Sequence, residues 1–335
     1  MKQKPITSRD VARLAGVSQS AVSRCFSPKA SISAKTREKV LAAARQLGYR
    51  PNTVARSLIT RSSRTIAVVV SQLDNPFYAL ILARASRSFQ VEGYHLLLFL
   101  VSDDGDTTGV MSEILQSQSE GILMLAASLT TPFAQECVDR GIPVVMINRT
   151  VDFSEVSQVS SDNYYGGYWV GDYLARQGHQ RIAFVNGLAT SSTGAYRRRG
   201  FLDALSAQGL TCWAEEHGEY CFDKAREATR RLFSKPPFPD AVFAANDHMA
   251  IAVIETLRAE FALRVPEDVS VIGFDDTPVA AWPSYRLTTV RQPVEEMVMT
   301  SAELLLEQMR EGQLSPVQRT LPVMPVLRES VRKRS

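Results

Sequence analysis

TSRDVARLAGVSQSAVSRCF, residues 7–26, reads as two short helices joined by a tight turn. Thr7 caps the first helix, and Asp10 three positions on closes a capping box. Val11, Leu14 and Ala15 recur at helical spacing and give one apolar face. Gly16 supplies the left-handed backbone that ends a helix. Val17 plugs the turn, Ser18 caps the second helix, and Ala21, Val22, Cys25 and Phe26 point inward. Gln19, Ser20, Ser23 and Arg24 remain on the outer face. Adaptable polar side chains near the start of a second helix suit entry into a DNA major groove. Taken alone, the segment also fits an ordinary surface helix pair.

The charge distribution favours the first of those. Residues 1–64 hold 14 Lys and Arg against Asp10 and Glu38, while the rest holds 24 basic and 33 acidic side chains, under an overall charge of +3. A basic head on an acidic body is expected of a polyanion-binding module joined to a domain with another job. After a Ser-Pro-Lys loop, a third helix is predicted, capped by Ser33, buried through Val40, Leu41, Ala44 and Leu47, and ended by Gly48. Three helices within residues 1–50 enclose only a small core. Residues 51–64 follow as a hinge. Asn52 caps a two-turn helix to about Leu58, too short to persist alone in water, which forms when a partner chain and DNA hold it. Leu58, apolar among Arg56, Arg61 and Arg64, suits insertion into the minor groove at a bent base step. A plain flexible linker is the alternative.

From Thr65 the texture changes to alternating strand and helix. Strands are predicted at Ile66–Val70, His95–Val101, Gly121–Ala126, Pro143–Ile147, Arg181–Val185, Ala241–Ala245, Val269–Gly273 and Thr320–Val326. Helices are predicted at Pro76–Val91, Thr107–Ser117, Pro132–Arg140, Tyr164–Gln177, Ala195–Ala207, Asp223–Phe233, His248–Ala262 and Pro293–Gly312. Such βαβ alternation means parallel sheets with helices on both faces, and two consecutive sets imply two α/β lobes. No apolar run reaches 18 residues and no apolar segment follows Lys2 and Lys4, so neither a membrane span nor a signal peptide is expected. Cys25, Cys137, Cys212 and Cys221 form no CxxC pair, as for reduced thiols in a cytoplasmic protein. No metal and no cofactor are expected. GxSxG, Walker A and GxGxxG motifs are missing. Adjacent Asp275 and Asp276 in an extended segment point oppositely, so they cannot serve one substrate atom as acid and base beside His248. The expectation is a protein that is not an enzyme.

Open α/β sheets bind ligands beyond the carboxyl ends of their strands. The candidates there are Asp74, Asn75, Phe77 and Tyr78; Asn148 and Arg149; Asp162 and Asn163; Thr193 and Arg197; Asn246 and Asp247; and Asp275 and Asp276, with Tyr220 and Trp282 nearby. Planar groups that give or take two hydrogen bonds, together with aromatic faces, are what a polyol needs. Each residue singly also fits a helix cap or simple packing. Arg149 and Arg197 suit a sugar acid's carboxylate or a neutral sugar's hydroxyls equally.

With these segments in view the chain resembles the LacI/GalR family of transcription regulators over essentially its whole length. The marks are RDVARLAGVSQSAVSRCF, SAKTREKVLAAARQLGYRPNTVARSL, NPFY at 75–78, YRRRGF at 196–201, AAND at 244–247, and GFDDTPVAAW followed by LTTV. The resemblance implies a helix-turn-helix head over 1–50, a hinge over 51–64, and a two-lobed core over 65–335 similar to periplasmic sugar-binding proteins. The lobes would comprise 65–162 plus 292–322 and 163–291 plus 323–335. It implies DNA contacts from Thr7, Ser18, Gln19, Ser20, Ser23, Arg24, Asn52, Ala55, Arg56 and Leu58. Gln19, Ser20 and Arg24 align with base-reading positions and Leu58 with the intercalating one; Arg24 suits guanine and Gln19 adenine. The cleft set is Asn75, Phe77, Tyr78, Arg149, Asp162, Thr193, Arg197, Tyr220, Asn246 and Asp275, and the resemblance itself points to Phe77, Arg197, Tyr220, Asn246 and Asp275. The family's tetramerising C-terminal helix has no counterpart here, so a homodimer on a palindromic operator is expected. The function expected is a repressor switched by a small sugar-like effector. An activator, a corepressor-dependent regulator and a plain sugar-binding module stay open.

Overall fold

The protein is described by a computed structural model covering residues 6–26, 31–50, 62–101, 109–125, 131–312 and 316–332. The hinge expectations at Asn52, Ala55, Arg56 and Leu58 lie outside the described residues. The chain divides into two units, Met1–Ser63 and Arg64–Ser335.

In the first unit, α1 (Ser8–Ala15), α2 (Gln19–Cys25) and α3 (Ala34–Leu47) follow the capping chemistry of the sequence. The Asp10 carboxylate accepts from the Thr7 amide at 2.9 Å and its hydroxyl at 2.7 Å. Gly16 and Gly48 end α1 and α3 with φ of 64° and 66°, a conformation that costs glycine little. Val11, Ala12, Val22, Cys25, Val40, Ala43 and Ala44 form the core. Leu14 and Leu41, expected in that core, are instead 46% and 37% exposed. α1 turns Val11 and Ala12 inward, and so small a core seals only the positions facing both other helices.

The second unit begins with β1 (Thr65–Val70), α4 (Pro76–Val91), β2 (His95–Leu100), α5 (Met111–Gln116), β3 (Gly121–Leu125), α6 (Thr131–Asp139), β4 (Val144–Ile147) and β5 (Ser157–Ser161). The chain continues through α7 (Asn163–Arg176), β6 (Ile182–Asn186), α8 (Ser192–Ala207), β7 (Ala214–His217), α9 (Phe222–Leu232), β8 (Ala241–Ala244), α10 (Asp247–Phe261) and β9 (Ser270–Ile272). A short 3-10 turn at Pro278–Ala281, β10 (Thr289–Arg291), α11 (Val294–Glu311), β11 (Gln318–Leu321) and β12 (Met324–Val326) complete it.

One lobe is built on a six-stranded parallel sheet ordered β11-β5-β4-β3-β1-β2, the other on a four-stranded parallel sheet ordered β7-β6-β8-β9. The continuous apolar run of β1 serves both faces of its sheet. Ile66, Val68 and Val70 meet Phe77, Ile81 and Leu305 of α4 and α11, while Ala67 and Val69 meet Ile114 and Phe133. In the other lobe the rings of Phe184, Phe201 and Phe243 sit with centroids 4.9 to 5.3 Å apart.

The single strand expected at Thr320–Val326 is two. β11 pairs in parallel with β5, and β12 pairs antiparallel with β10. Pro322, between them, has no N–H to extend the first ladder. β5, β7 and β10 were not predicted as strands; β5 is wholly buried yet reads Ser-Gln-Val-Ser-Ser.

Candidate functional site

On the head, Thr7, Ser18, Gln19, Ser20, Ser23 and Arg24 are all exposed. Ser18 accepts from the Ala21 amide at 3.2 Å, so its hydroxyl starts α2, and it lies 2.8 Å from the Ser20 hydroxyl. The Gln19 amide donates to Ser8 Oγ at 2.9 Å and accepts from Arg9 Nε at 3.4 Å. Gln19 thus ties α2 to α1, and Arg24 is the long donor that projects from the last turn of the helix.

On the body, the segments leaving β1, β4, β6, β8 and β9 meet between the two sheets. Tyr78, at the start of α4, is buried and accepts from Asn148 Nδ2 at 3.2 Å. Arg149 follows, 5% exposed, its Nη2 3.4 Å from Gln72 Oε1 and its guanidinium carbon 6.0 Å from the centre of the Tyr220 ring. Tyr220 Oη lies 3.0 Å from Thr193 Oγ1, which lies 2.7 Å from Ser191 Oγ. A Cβ on Gly187 would lie 2.2 Å from that ring, so only glycine lets Tyr220 seat.

Arg197 is almost wholly enclosed. Its Nε donates to Asn163 Oδ1 at 2.8 Å, its Nη1 to the Ala245 carbonyl at 2.5 Å, and its guanidinium carbon stands 3.7 Å over the Phe274 ring. Asp275 Oδ1 lies 3.5 Å from Arg197 Nη2 and accepts from Gln292 Nε2 at 2.7 Å. Burial pushes the pKa of Asp275 up to about 6, above the usual carboxylate range, and Arg197 opposes that rise. Asp247 is raised by burial first and by the neighbouring Asp275 next. Contacts cross between the lobes: Gln72 Nε2 donates to the Glu219 carbonyl at 3.3 Å, the Thr150 amide to Ser192 Oγ at 2.8 Å, and His248 Nε2 lies 3.5 Å from Asp74.

Among the described residues, Asn148 Oδ1, Arg149 Nε and Asn246 Nδ2 are buried here with no hydrogen-bond partner, and His248 Nε2 has only Asp74 at 3.5 Å. A buried unpaired group costs about 1–3 kcal/mol, so three together mark a place for polar partners, ordered water or a ligand.

The residues expected at the cleft divide by what they do. Tyr78, Arg149, Thr193, Arg197, Tyr220 and Asp275 belong to the polar array, and Asn246 both caps α10 through Oδ1 at 2.9 Å and leaves Nδ2 free. Asn75 caps α4 by accepting from the Phe77 amide, and Phe77 is sealed in the hydrophobic core edge-on to Tyr78. Asp162 caps α7 by accepting from Tyr165, and it is the next residue, Asn163, that reaches Arg197. Asp276 turns away to Arg291 and Arg328, and Trp282 is 55% exposed. Asp275 and Asp276 do diverge, but through φ of 120° and 56° and not through strand alternation. Gln72, Ser191 and Gln292 join the array without having been predicted; being amides and a hydroxyl in loops, they carry no sequence signal of their own.

A helix-turn-helix unit in the same chain as a two-sheet body with a polar cleft at its strand ends defines a class, that of DNA-binding regulators with a ligand-binding core. Residues 7–52 match the bacterial regulatory proteins of the lacI family, and residues 172–331 match a periplasmic binding protein-like domain. The HTH-type transcriptional regulator CelR of Thermobifida fusca is 34% identical over 329 residues, covering 96% of each chain. The ribose operon repressor of Escherichia coli K12 is 32% identical over 331 residues, covering 96% of this chain and 98% of its own. Among solved structures, a CelR–cellobiose complex aligns with a TM-score of 0.72 at 33% identity over 97% of this chain and 99% of that one. The lac repressor dimer bound to operator and the anti-inducer ONPF aligns at 0.85, with 28% identity over 98% and 99%. The chain belongs to the LacI family of bacterial regulatory proteins, a family of DNA-binding regulators.

Proposed function

We propose that this chain is a homodimeric repressor whose affinity for a palindromic operator is switched by a polyhydroxylated effector bound between the lobes. The observation that carries the reading is the trio of unpartnered buried atoms, Asn148 Oδ1, Arg149 Nε and Asn246 Nδ2, which come from both lobes and need a shared polar guest. The basic head with its exposed α2 face supports the DNA partner, most of whose affinity comes from phosphate contacts. Leu97, Leu98 and Leu100 lie exposed on β2 at the edge of its sheet. An apolar sheet edge is a liability unless covered, and a second copy covering it supports the dimer. A two-fold dimer reads two half-sites in successive major grooves. The hinge at 51–64, carrying Leu58, is the connection through which a change in lobe angle reaches the heads. The domain limits of 1–50, 51–64 and 65–335, and the lobes of 65–162 plus 292–322 and 163–291 plus 323–335, belong to the same proposal. The protein acts in the cytoplasm, where chromosomal DNA is, as a switch without catalytic chemistry.

Selection of duplexes from a randomised pool by the full-length protein tests this. A two-fold symmetric site is expected, and Arg24→Ala should relax one G·C position per half-site by about 1–3 kcal/mol. A pool that yields no preferred site, or a preference untouched by Arg24→Ala, contradicts the reading.

A further inference from the structure

Resting on the cleft assignment above, we propose that the effector is a carboxylated polyol, a sugar acid, whose carboxylate is held by Arg149. The two arginines of the cleft are not equivalent. Arg197 is satisfied: Asn163, the Ala245 carbonyl, the Phe274 ring and the Asp275 carboxylate surround its guanidinium. Arg149 is buried too, but among the described residues it forms no ion pair and its side chain has one hydrogen-bond partner, the neutral Gln72 amide at 3.4 Å, with its Nε bare. A buried charge without a counter-charge is costly, and it persists when a ligand supplies one.

The donor geometry selects the kind of anion. Nε and the Nη beside it form one edge of the guanidinium fork, which matches the two oxygens of a carboxylate. A phosphoryl group would call for more amide donors, usually those of a helix N-terminus. Each helix that begins at the cleft spends at least one such donor on its own cap. The Phe77 amide is given to Asn75, Gly194 to Ser191 and Met249 to Asn246, while Pro76 at the start of α4 has no N–H.

The charges also orient the guest. Asp275 repels a carboxylate from the Arg197 end, so the acid group lies toward Arg149 on the β4 side. The hydroxyls then lie toward Asn246 and the Thr193–Tyr220 pair, with the Tyr220 ring as an apolar wall.

The test is calorimetric titration of the full-length protein with D-galacturonate, D-glucuronate and D-gluconate, with D-galactose, D-glucose, D-ribose and cellobiose, and with glucose 6-phosphate. At least one sugar acid should bind, with its neutral counterpart weaker by on the order of 30-fold or more, the loss expected when one partner of a buried charge pair is missing. Arg149→Gln should erase that preference, and Arg149→Lys should restore part of it. A neutral sugar or the sugar phosphate binding as tightly as any acid, or an acid whose affinity survives Arg149→Gln, overturns the carboxylate inference and leaves the cleft standing. No heat with any of these ligands overturns both.

Discussion

Among the described residues, Arg197 and Asp275 form the one fully buried ion pair in the cleft, with exposures of 2% and 4%. Removing one member of a buried pair strands the other, a loss of about 3–5 kcal/mol. Asp275→Ala should therefore lower the unfolding free energy of the body by about 3 kcal/mol and abolish the effector response while operator binding by the head persists. Thermal unfolding and a gel shift with ligand check this, and an unchanged response refutes the placement of Asp275 in the cleft. Asp275 was legible because it follows an apolar strand, as do Arg149 and Asn246. What was not legible is direction. Asp162 and Asn163 stand side by side in sequence, yet only Asn163 reaches Arg197, since Asp162 is spent on the helix start. The difference between Arg149 and Arg197 is not written in the sequence either, because it lies in which carboxylate comes near, and Asp275 is far from both along the chain.

The cleft keeps its geometry through the crossing of α7 and α8, which carry Asn163 and Arg197. The two helices meet backbone to backbone at glycines. A Cβ on Gly167 would lie 2.1 Å from the Arg197 carbonyl oxygen, and one on Gly200 2.0 Å from that of Tyr164. No side-chain adjustment relieves a clash with main chain, so Gly200→Ala should destabilise the body by about 3 kcal/mol, at the upper end of overpacking costs. It should also weaken effector binding by moving Arg197. Chemical denaturation checks the first part, and a variant as stable as the parent contradicts so close a crossing. Elements with apolar runs were readable at close to their true limits, as α4 shows. β5 was not, because its buried positions are serines and a glutamine made tolerable by partners elsewhere: Ser157 accepts from Gln308, Gln158 bonds Val151 and Phe153, and Ser161 donates to Gln292. Polarity that is satisfied only by distant chain looks like loop in the sequence.

Across the whole molecule, the two α/β lobes and the basic head were legible from βαβ alternation and the uneven spread of charge. Their joint response to conditions follows from groups such as Asp247. That residue is fully buried and accepts from the Thr277 amide, the Thr277 hydroxyl and the Thr289 hydroxyl. Its folded-state pKa is raised, chiefly by burial. A raised value means that its contribution is fully present below the ordinary carboxylate pKa of about 4 and is lost as pH rises through the folded value. Glu260 and Asp268, lowered to about 2 by hydrogen bonds from Arg230 and Arg264, act in the opposite sense and only at the acid end. The melting temperature should thus fall between about pH 5 and pH 8, and Asp247→Asn should flatten that fall; a slope identical in the variant rules Asp247 out as its source.

Binding at the cleft and binding at the head must trade free energy in equal measure if one controls the other. The most direct measurement is the affinity of the tightest sugar ligand for the protein, free and saturated with operator, set beside operator affinity with and without that ligand. The two ratios should be the same number, on the order of 5–150-fold. A ligand affinity indifferent to bound operator would contradict the account.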